Sequence, residues 1–487
     1  MKFNKIMVLV LCLAMSTIYS QNNELPQDYL TKEFHKNRRE AFRNKLPNNS
    51  VAIFFANAVR NRSNDVEYIY HQDPNFYYLT GNKEPNAMLI VFKEDQEIGG
   101  NVLNEVLFVQ ETDENKEIWL GKRLGINGAK DDLGFRVAFN GNEFKSYKID
   151  FSKFDKILFK NFENDVRDSE DEADLFDLIK IFKEKVSYGF IKSNYPSTDK
   201  ISTETEKKID TEMLSGIMAT LREVKTKEEV VLLKKAVEIS AIGQIEIMKA
   251  MHPTMSEIEV QGVHEFVYKK YGAEYEGYPS IVGAGGNGCI LHYIKNNKVE
   301  IGDGKLVLMD LGAEYHGYTA DVTRTIPANG KFTKEQKLIY DLVYEAQEAG
   351  ISTYRIGANM IASNIIAIEI INEGLFKLGI IPSKNSRHNY LPHGTSHHIG
   401  LDVHDPGNSR KFKENMVVTM EPGIYIPEGS DCDEKWWGIA VRIEDDILVT
   451  KNGPVNLSAR APRTSEAIEQ MMAEQSALDN FNLPKLD

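Results

Sequence analysis

Residues 306–325, LVLMDLGAEYHGYTADVTRT, constrain this chain more than any other stretch. Alternating apolar and β-branched residues on both sides of residues 314–317 predict two short strands joined by a turn. Asp310 and Asp321 stand one on each arm of this hairpin. Aspartate is depleted in strands and is seldom buried without a partner. The pair is therefore either two surface acids near a turn or part of a larger polar site.

Three downstream segments supply more polar residues in apolar surroundings. Residues 391–405, LPHGTSHHIGLDVHD, hold four of the eleven histidines of the chain. The run VVTMEPGIYI carries Glu421 just before a Pro-Gly turn, and IAVRIEDDILVT carries Arg442 and Glu444. A single histidine or glutamate in such a place is usually structural. Several of them in one domain favour a common site.

Carboxylates gathered in one place repel each other. Two unit charges 4 Å apart cost about 4 kcal/mol in a protein-like medium. A bound divalent cation removes this repulsion, and an oxygen-rich set with one imidazole suits an ion such as Mn²⁺. The pattern therefore favours a metal site.

Five of these residues, in their order and contexts, resemble the metal ligands of the pita-bread metallopeptidases. They are Asp310, Asp321, His397, Glu421 and Glu444. The phrases HGTSHHIGLDVHD, MEPGIYI and RIEDD are similar in particular to Xaa-Pro aminopeptidases, also called aminopeptidases P, and the resemblance covers nearly all of the chain after residue 24. It implies an N-terminal mixed-sheet α/β domain followed by a C-terminal α+β domain of the pita-bread type. It also implies release of the N-terminal residue from peptides with proline in second position.

The resemblance assigns a role to each ligand. Asp321 and Glu444 would bridge two divalent ions, with Mn²⁺ as the expected metal. Asp310 would bind one ion, while His397 and Glu421 complete the other. Two such ions lower the pKa of a shared water towards about 7, and the resulting hydroxide would attack the first peptide bond.

The same resemblance implies the residues that act on substrate. Glu421 would accept a proton, and His292 and His404 would hydrogen-bond the tetrahedral intermediate. A structural role for each histidine is the less favoured alternative. Residues similar to those lining the proline pocket are His393, Tyr425 and Arg442. In the family an aromatic residue of a neighbouring subunit can close the pocket, and EIWLGKRLG places Trp119 there. A homo-oligomer, a dimer or a tetramer, is therefore expected.

Alternative functions remain open at this point. An Xaa-Pro dipeptidase (prolidase) has the same fold and metals but a pocket closed beyond the proline; GLDVHD and the overall match favour the aminopeptidase. A binding module that has lost its metals is disfavoured because all five ligand residues are present. Methionine aminopeptidases generally lack the first domain. One departure from the family pattern is His398, which follows the ligand histidine and leaves some ambiguity between the two. The H-x-x-x-H register from His393 favours His397.

The first residues of the chain predict export. Lys2 and Lys5 precede an apolar run over residues 6–14, and small and polar residues follow as far as residue 20, the pattern of a signal peptide. The run is too short to span a bilayer, so stable membrane insertion is not expected. Removing two lysines and no acids changes the formal net charge from −14 to −16. Such an acidic protein is a poor partner for nucleic acid. A periplasmic or secreted location is expected.

Further patterns organise the mature chain. We predict a first domain over residues 24–196, a linker over 197–214, a catalytic domain over 215–463 and a tail over 464–487. Strand-like runs at 51–55, 87–92, 105–110 and 156–159 with a helix near 173–186 predict an α/β first domain. Three capping-box pairs predict helix starts in the second domain: Thr226 with Glu229, Ser256 with Glu259, and Thr333 with Gln336.

A glycine motif in the second domain matches a nucleotide-binding spacing. Gly283, Gly285 and Gly288 fit G-x-G-x-x-G, but residues 289–293 are predicted to form a strand where a pyrophosphate site needs a helix N-terminus. The glycines more plausibly allow a tight turn that brings His292 to a cleft. A dinucleotide cofactor is therefore not expected.

Overall fold

A computed structural model describes residues 27–162, 171–188 and 206–479. The predicted signal peptide, most of the acidic stretch 163–174, the first part of the predicted linker and the end of the tail lie outside the described residues. Among the helices of the described ranges, none is long and apolar enough to cross a membrane.

The first part of the chain builds one six-stranded mixed sheet with short helices around it. Its helices are α1 (Lys32–Lys45), α2 (Pro74–Thr80), α3 (Glu114–Leu120), α4 (Gly125–Asp131) and α5 (Leu175–Val186). Its strands are β1 (Ser50–Phe55), β2 (Asn61–Ser63), β3 (Val66–Glu67), β4 (Met88–Ile98), β5 (Asn101–Val109), β6 (Ala138–Asn140), β7 (Lys156–Leu158) and β8 (Ile209–Asp210). The sheet order is β6-β5-β4-β1-β7-β8, and β2 with β3 forms a separate hairpin.

Strand direction makes this sheet mixed. The central strands β1, β4 and β5 are antiparallel neighbours, whereas β7, β8 and β6 join in parallel. The apolar strands β1 and β4 are buried along most or half of their length, as expected for the middle of a covered sheet. The four predicted strand runs and the helix near 173–186 are confirmed. The last strand, β8, lies within the segment predicted as a linker, so the sheet extends into it.

The second part combines six helices of the described residues with several small antiparallel sheets. The helices are α6 (Met213–Arg222), α7 (Lys227–Ala250), α8 (Glu257–Lys270), α9 (Lys334–Ser352), α10 (Ile361–Lys377) and α11 (Ser465–Met471). The strands are β9 (Tyr275–Glu276), β10 (Ile281–Ala284), β11 (Leu306–Asp310), β12 (Ala313–Tyr315), β13 (Tyr318–Thr319), β14 (Thr323–Pro327), β15 (Val417–Met420), β16 (Gly423–Ile426), β17 (Ile439–Arg442), β18 (Asp445–Thr450) and β19 (Gly453–Asn456). All three predicted capping boxes are present at the starts of α7, α8 and α9.

The strand predicted at residues 289–293 is wrong. Residues 285–289 form a 3-10 turn, and the following residues form a loop. Glu257 at the start of α8 holds this loop, because its carboxylate accepts hydrogen bonds from Asn287 Nδ2 at 2.9 Å and from the Tyr293 hydroxyl at 3.0 Å. A side-chain acceptor on a neighbouring helix therefore overrides the local strand preference.

Two large apolar cores hold the molecule together. One continues from α1 and the first sheet through α7 to the tip of the β12–β13 hairpin, so both parts of the chain share it. The other lies between α8, α9 and α10 and the faces of β11, β14, β15 and β17. Strands that carry the candidate ligands are thus backed by packed helices, which restricts their movement.

Candidate metal centre

The hairpin expected over residues 306–325 is present but is made of four strands instead of two. β11 pairs with β14 in one sheet, while β12 pairs with β13 in another. The turn is narrower than predicted: His316 and Gly317 alone form it, both with positive φ (52° and 88°), as a two-residue hairpin turn requires. Each arm breaks between its two strands, and Asp310 and Asp321 lie beside these breaks. Their carboxylates therefore face each other across the hairpin.

Tyr278 joins these two aspartates. Its hydroxyl oxygen lies 2.5 Å from Asp310 Oδ1 and 2.7 Å from Asp321 Oδ1. Both aspartates are buried, with 8% and 5% of their surface exposed. One hydroxyl thus fixes two carboxylates in one orientation. Tyr278 was not predicted, since a tyrosine next to a proline in YEGYPS carries no signal for this role.

Arg442 and Glu444 reach the same place from the turn between β17 and β18. Arg442 Nη2 donates to Asp310 Oδ2 at 2.5 Å. The Thr323 hydroxyl donates to Glu444 Oε2 at 2.7 Å and accepts from Arg442 Nε at 3.3 Å. The other carboxylate oxygen of Glu444, Oε1, is buried and has no hydrogen-bond partner among the described residues. Thr323 is a second residue that sequence patterns missed.

His397 and Glu421 complete the cluster. His397 Nε2 lies 3.4 Å from Asp321 Oδ2, 3.6 Å from Glu421 Oε1 and 3.9 Å from Glu444 Oε1. One ligand atom each from Asp321, His397 and Glu444 falls within 4.8 Å of the others. Backbone bonds set this approach: Thr419 N–H donates to the His397 carbonyl and Glu421 N–H donates to the Thr395 carbonyl, each at 2.9 Å.

The ring orientation separates His397 from His398. His397 Nδ1 donates to the carbonyl oxygen of His398 at 3.0 Å, because a carbonyl can only accept. Its Nε2 therefore carries the lone pair that faces the carboxylates, the arrangement typical of a histidine ligand. The ring of His398 instead packs against Gly407, where an added Cβ would lie only 2.3 Å from its Nε2.

Burial and repulsion between like charges decide the electrostatics of this cluster. Burial raises the pKa of Asp321 well above its ordinary value, and the negative charges of Asp310 and Asp446 raise it further. Burial also raises the pKa of Glu444 well above its ordinary value, and the negative charges of Asp321 and Glu421 add to this shift. Burial raises the pKa of Glu421 to about 7. For Asp310, burial is outweighed by the Arg442 guanidinium, and the pKa of Asp310 is lowered.

The pocket residues lie next to the cluster. Arg442 Nη1 donates to the Tyr425 hydroxyl at 2.8 Å, and the same hydroxyl lies 2.8 Å from His393 Nε2. His393 Nδ1 is also 3.5 Å from Glu421 Oε2. His393, Tyr425 and Arg442 therefore form one hydrogen-bonded chain along one side of the carboxylates.

The remaining predicted residues lie at the rim or apart. The ring of His404 stands edge-on to that of His397, with the centroids 4.5 Å apart, and both His404 and His292 are exposed. Burial and the neighbouring His397 lower the pKa of His404, and His292 also contributes to this shift. Trp119 lies on α3 with 87% of its surface exposed, so in this single chain it does not line the cluster.

The cluster has the chemistry of a cation site. It gathers carboxylates whose charges raise each other's pKa, a buried carboxylate oxygen without a partner, and an imidazole nitrogen facing them. Arg442 is the cation that contacts it, and it contacts only Asp310 of the five candidate ligands. A divalent ion would supply the missing positive charge, so these residues fit the metal that their pattern suggests.

Comparison with protein families and known proteins gives the same result. Residues 231–451 match the model of metallopeptidase family M24, and residues 35–157 match the N-terminal domain of aminopeptidase P. Xaa-Pro aminopeptidase of Escherichia coli is 35% identical over 457 residues, which cover 91% of this chain and 98% of that protein. The chain belongs to the Xaa-Pro aminopeptidase family. It is therefore a metallopeptidase, and family membership implies divalent metal ions.

Other relatives and solved structures agree. Xaa-Pro aminopeptidase 3 of Rattus norvegicus is 33% identical, over 88% of this chain and 81% of the relative. The structure of E. coli aminopeptidase P with the inhibitor Pro-Leu matches with a TM-score of 0.79 and 34% identity, covering 91% of this chain and 98% of that one. A zinc-substituted form of the same enzyme in complex with product matches with a TM-score of 0.78, 33% identity and the same coverage. The predicted two-part fold class is thus confirmed.

Proposed function

We propose that this chain releases the N-terminal residue from peptides whose second residue is proline. The observation that carries the proposal is the group of buried Asp321 and Glu444 with partly buried His397, beside the chain of His393, Tyr425 and Arg442, in a member of this family. The first group would bind a cation, and the second group forms a polar surface next to it that substrate can contact.

Five residues would hold two divalent ions: Asp310, Asp321, His397, Glu421 and Glu444. We propose Mn²⁺ as the working metal, because oxygen ligands predominate among these residues. When bound, the ions supply Lewis acidity, which lowers the pKa of water and stabilises negative charge on a carbonyl oxygen. Tyr278 and Thr323 keep the carboxylates in place through the hydrogen bonds described above.

Glu421 is the proposed proton acceptor. Its carboxylate lies at the open side of the cluster, between His397 and His393. In the metal-free chain, burial raises its pKa to about 7, so this carboxylate takes up a proton more readily than an exposed glutamate does. Glu421 can therefore take the proton of the attacking water and pass it on to the leaving proline nitrogen.

His404 and His292 are proposed to contact the reacting carbonyl from the rim. One ring nitrogen of His404 can donate a hydrogen bond to the negative charge that develops on the carbonyl oxygen. His393, Tyr425 and Arg442 would hold the proline side of the substrate. The bond before proline is a tertiary amide without an N–H, so the substrate needs no hydrogen-bond acceptor at that nitrogen.

The decisive test measures cleavage of matched peptides by protein loaded with Mn²⁺. We expect an Xaa-Pro-Xaa tripeptide to release its first residue, and the same peptide with alanine in second position to be cleaved at least about a hundredfold more slowly. Glu421→Gln should reduce kcat by about 10²–10⁴-fold. Glu428→Gln is the matched control, since Glu428 is an exposed acid seven residues away. Equal cleavage of both tripeptides contradicts the proposal.

A second substrate separates the aminopeptidase from a dipeptidase. An Xaa-Pro dipeptide is offered beside the tripeptide under the same conditions. We expect cleavage of the tripeptide, because a dipeptidase pocket is closed beyond proline. Cleavage of the dipeptide alone would make the chain a prolidase.

Export and assembly are proposed from the sequence pattern and from surface composition. We propose cleavage after residue 20 and a periplasmic or secreted location, which N-terminal sequencing of the mature protein tests.

We also propose a homo-oligomer in which Trp119 reaches a neighbouring subunit. Ile118, Trp119 and Leu120 are all at least 74% exposed, an apolar tip that a partner could cover. Light scattering of Trp119→Ala against the unmodified protein tests this assembly.

A further inference from the structure

The loop that carries His404 is closed by its own backbone. Asp405 N–H donates to the His398 carbonyl at 3.0 Å, and Gly400 N–H donates to the Asp402 carbonyl at 3.1 Å. The His404 N–H donates to Asp402 Oδ1 at 3.1 Å. The imidazole of His404 itself has no hydrogen bond to a described residue. Its position therefore depends on how this loop is anchored.

The anchor is the side chain of the next residue, Asp405. Its carboxylate is buried and lies between two cations that end α6 and precede α7. Arg222 Nη2 donates to Asp405 Oδ1, and Lys225 Nζ donates to Asp405 Oδ2 at 2.7 Å. Lys225 Nζ also donates to the Arg222 carbonyl at 2.6 Å. We call these three residues the Asp405 cluster.

Close packing leaves the anchor little freedom. A Cβ at Gly400 would lie 2.6 Å from Asp405 Oδ2 and 2.8 Å from Lys225 Nζ, so only glycine fits there. Buried charges that are held by specific partners resist movement, because any shift would leave a buried charge unpaired. The residue before Asp405 in the chain is thereby restrained as well.

The Asp405 cluster also contacts the first part of the chain. Arg222 Nη1 donates to Asn75 Oδ1 on α2 at 2.8 Å. On the same helix, the Tyr78 hydroxyl donates to the Leu221 carbonyl at 3.1 Å. The anchor of the His404 loop is thus bonded to α2 of the N-terminal part as well as to the catalytic part.

We propose that Asp405 is a positioning residue for His404. Arg222 and Lys225 fix the Asp405 carboxylate, and this keeps the His404 ring beside the metal cluster. This inference rests on the proposed function, in which His404 contacts the reacting carbonyl. A shift of about 1 Å in such a group can cost about 10²-fold in rate, so a buried anchor next to it matters for turnover. Through Asn75, the N-terminal part of the chain contributes to the same placement.

A double-mutant cycle on the metal-loaded protein tests the inference with an Xaa-Pro-Xaa tripeptide. We expect His404→Ala to lower kcat by about 10²–10⁴-fold and Asp405→Asn by about 10–100-fold, with little change in KM. If Asp405 acts through His404, Asp405→Asn should have almost no further effect in the His404→Ala protein. Two independent effects that multiply overturn the inference.

Two more variants separate positioning from loss of stability. Asp405→Asn with Lys225→Met restores the net charge of the Asp405 cluster, so its stability should recover while kcat stays low. Recovery of kcat together with stability overturns the inference. Arg222→Lys keeps the charge, is expected to fold, and should lower kcat by about 3–10-fold through loss of the Asn75 contact; an unchanged kcat counts against it.

The matched control lies at the same helix end. Lys413 pairs with Glu223, the neighbour of Arg222, but does not contact the Asp405 cluster. Lys413→Met should leave kcat unchanged. A crystal structure of Asp405→Asn supplies a readout that does not need activity: a displaced His404 ring supports positioning, and an unmoved ring overturns it. Absence of turnover by the unmodified protein would refute the proposed function alone, and this structural readout would still decide the inference.

Discussion

Two groups of buried charges lie near each other in the second part of the chain, and they are balanced in opposite ways. The Asp405 cluster holds one carboxylate between two side-chain cations. The candidate metal centre holds four carboxylates, and Arg442 contacts only one of them. Although burial opposes ionisation in both places, the pKa of Asp405 is lowered by its cations, whereas the pKa values of Asp321 and Glu444 are raised.

The difference shows what distinguishes a structural ion pair from a cation site. In the first, protein side chains already supply the opposite charge, and removing one member leaves a buried charge unpaired. In the second, the opposite charge must come from outside the chain, so removing one carboxylate relieves repulsion. The same substitution, aspartate to asparagine, should therefore change stability in opposite directions at the two places.

The largest effect is expected for Asp321→Asn. Turnover of an Xaa-Pro-Xaa tripeptide should fall on the order of a thousandfold, since a cation site worth several kcal/mol of charge stabilisation is lost. In the chelated protein the same change should raise the free energy of unfolding by about 1 kcal/mol, because one of the repelling charges is gone. Bound metal per chain and urea unfolding check the two parts. A less stable chelated variant would contradict the difference between the clusters.

Asp405→Asn should have the opposite effect on stability. We expect a loss of about 3 kcal/mol in the free energy of unfolding, since Arg222 and Lys225 remain buried without their partner. Metal content should be nearly unchanged, because none of the ligands is altered. Urea unfolding with and without chelator measures this, with Lys451→Met, which removes an exposed ion pair to Glu414, as the control. Equal stability of Asp405→Asn and the unmodified protein would show that the ion pairs of Asp405 with Arg222 and Lys225 do not stabilise the fold.

Tyr278→Phe should have an intermediate effect. It removes the hydroxyl that contacts both Asp310 and Asp321, and loss of such a supporting hydrogen bond typically weakens metal affinity by about 10–100-fold. The expected change is a higher Mn²⁺ concentration for half-maximal activity, with a smaller change in kcat at saturating metal. Titration of the metal-free protein checks it. Tyr268→Phe, a tyrosine on α8 outside the cluster, is the control.

The smallest effect concerns pH. The pKa of Asp405 is lowered in the folded state, so its contribution to stability is present above its unfolded value and is lost as the pH falls below about 4. The pKa values of Asp321 and Glu444 are raised in the metal-free state, so their contribution is present at acidic pH and is lost as the pH rises. Chelated protein should therefore gain stability on mild acidification from neutral pH and lose it below about pH 4. Saturating Mn²⁺ should abolish the gain; a metal-independent profile would contradict the account.

Sequence patterns were most successful where local chemistry decides the outcome. Capping boxes at Thr226, Ser256 and Thr333 start helices because their side chains satisfy N–H groups of the same turn. The five candidate ligands could be recognised because each stands in a distinctive phrase, and the structure brings them together. Family membership followed from the same phrases.

Other features depend on contacts between distant parts of the chain. The loop at residues 290–293 is held by Glu257, some thirty residues earlier, so the strand predicted from its apolar sequence does not form. Tyr278 and Thr323 have ordinary sequence surroundings, and only folding places their hydroxyls against the carboxylates. The sequence favoured His397 over His398 as the ligand, and the ring orientation, which a backbone carbonyl sets, gives the physical reason.

The sequence by itself determined the three capped helix starts, because side-chain type acts locally there. Its resemblance to a known family gave the two-part fold class and the identity of the carboxylate and histidine residues at the centre. Only the tertiary structure decided which of these charges lack a partner. Distance and burial set the strength of an interaction between charges, and both depend on how β11, β14, β17 and the histidine loop pack together. Two aspartates of the same chemistry therefore differ in their partners: Asp405 lies between two side-chain cations, whereas Asp321 lies among other carboxylates in the candidate metal centre.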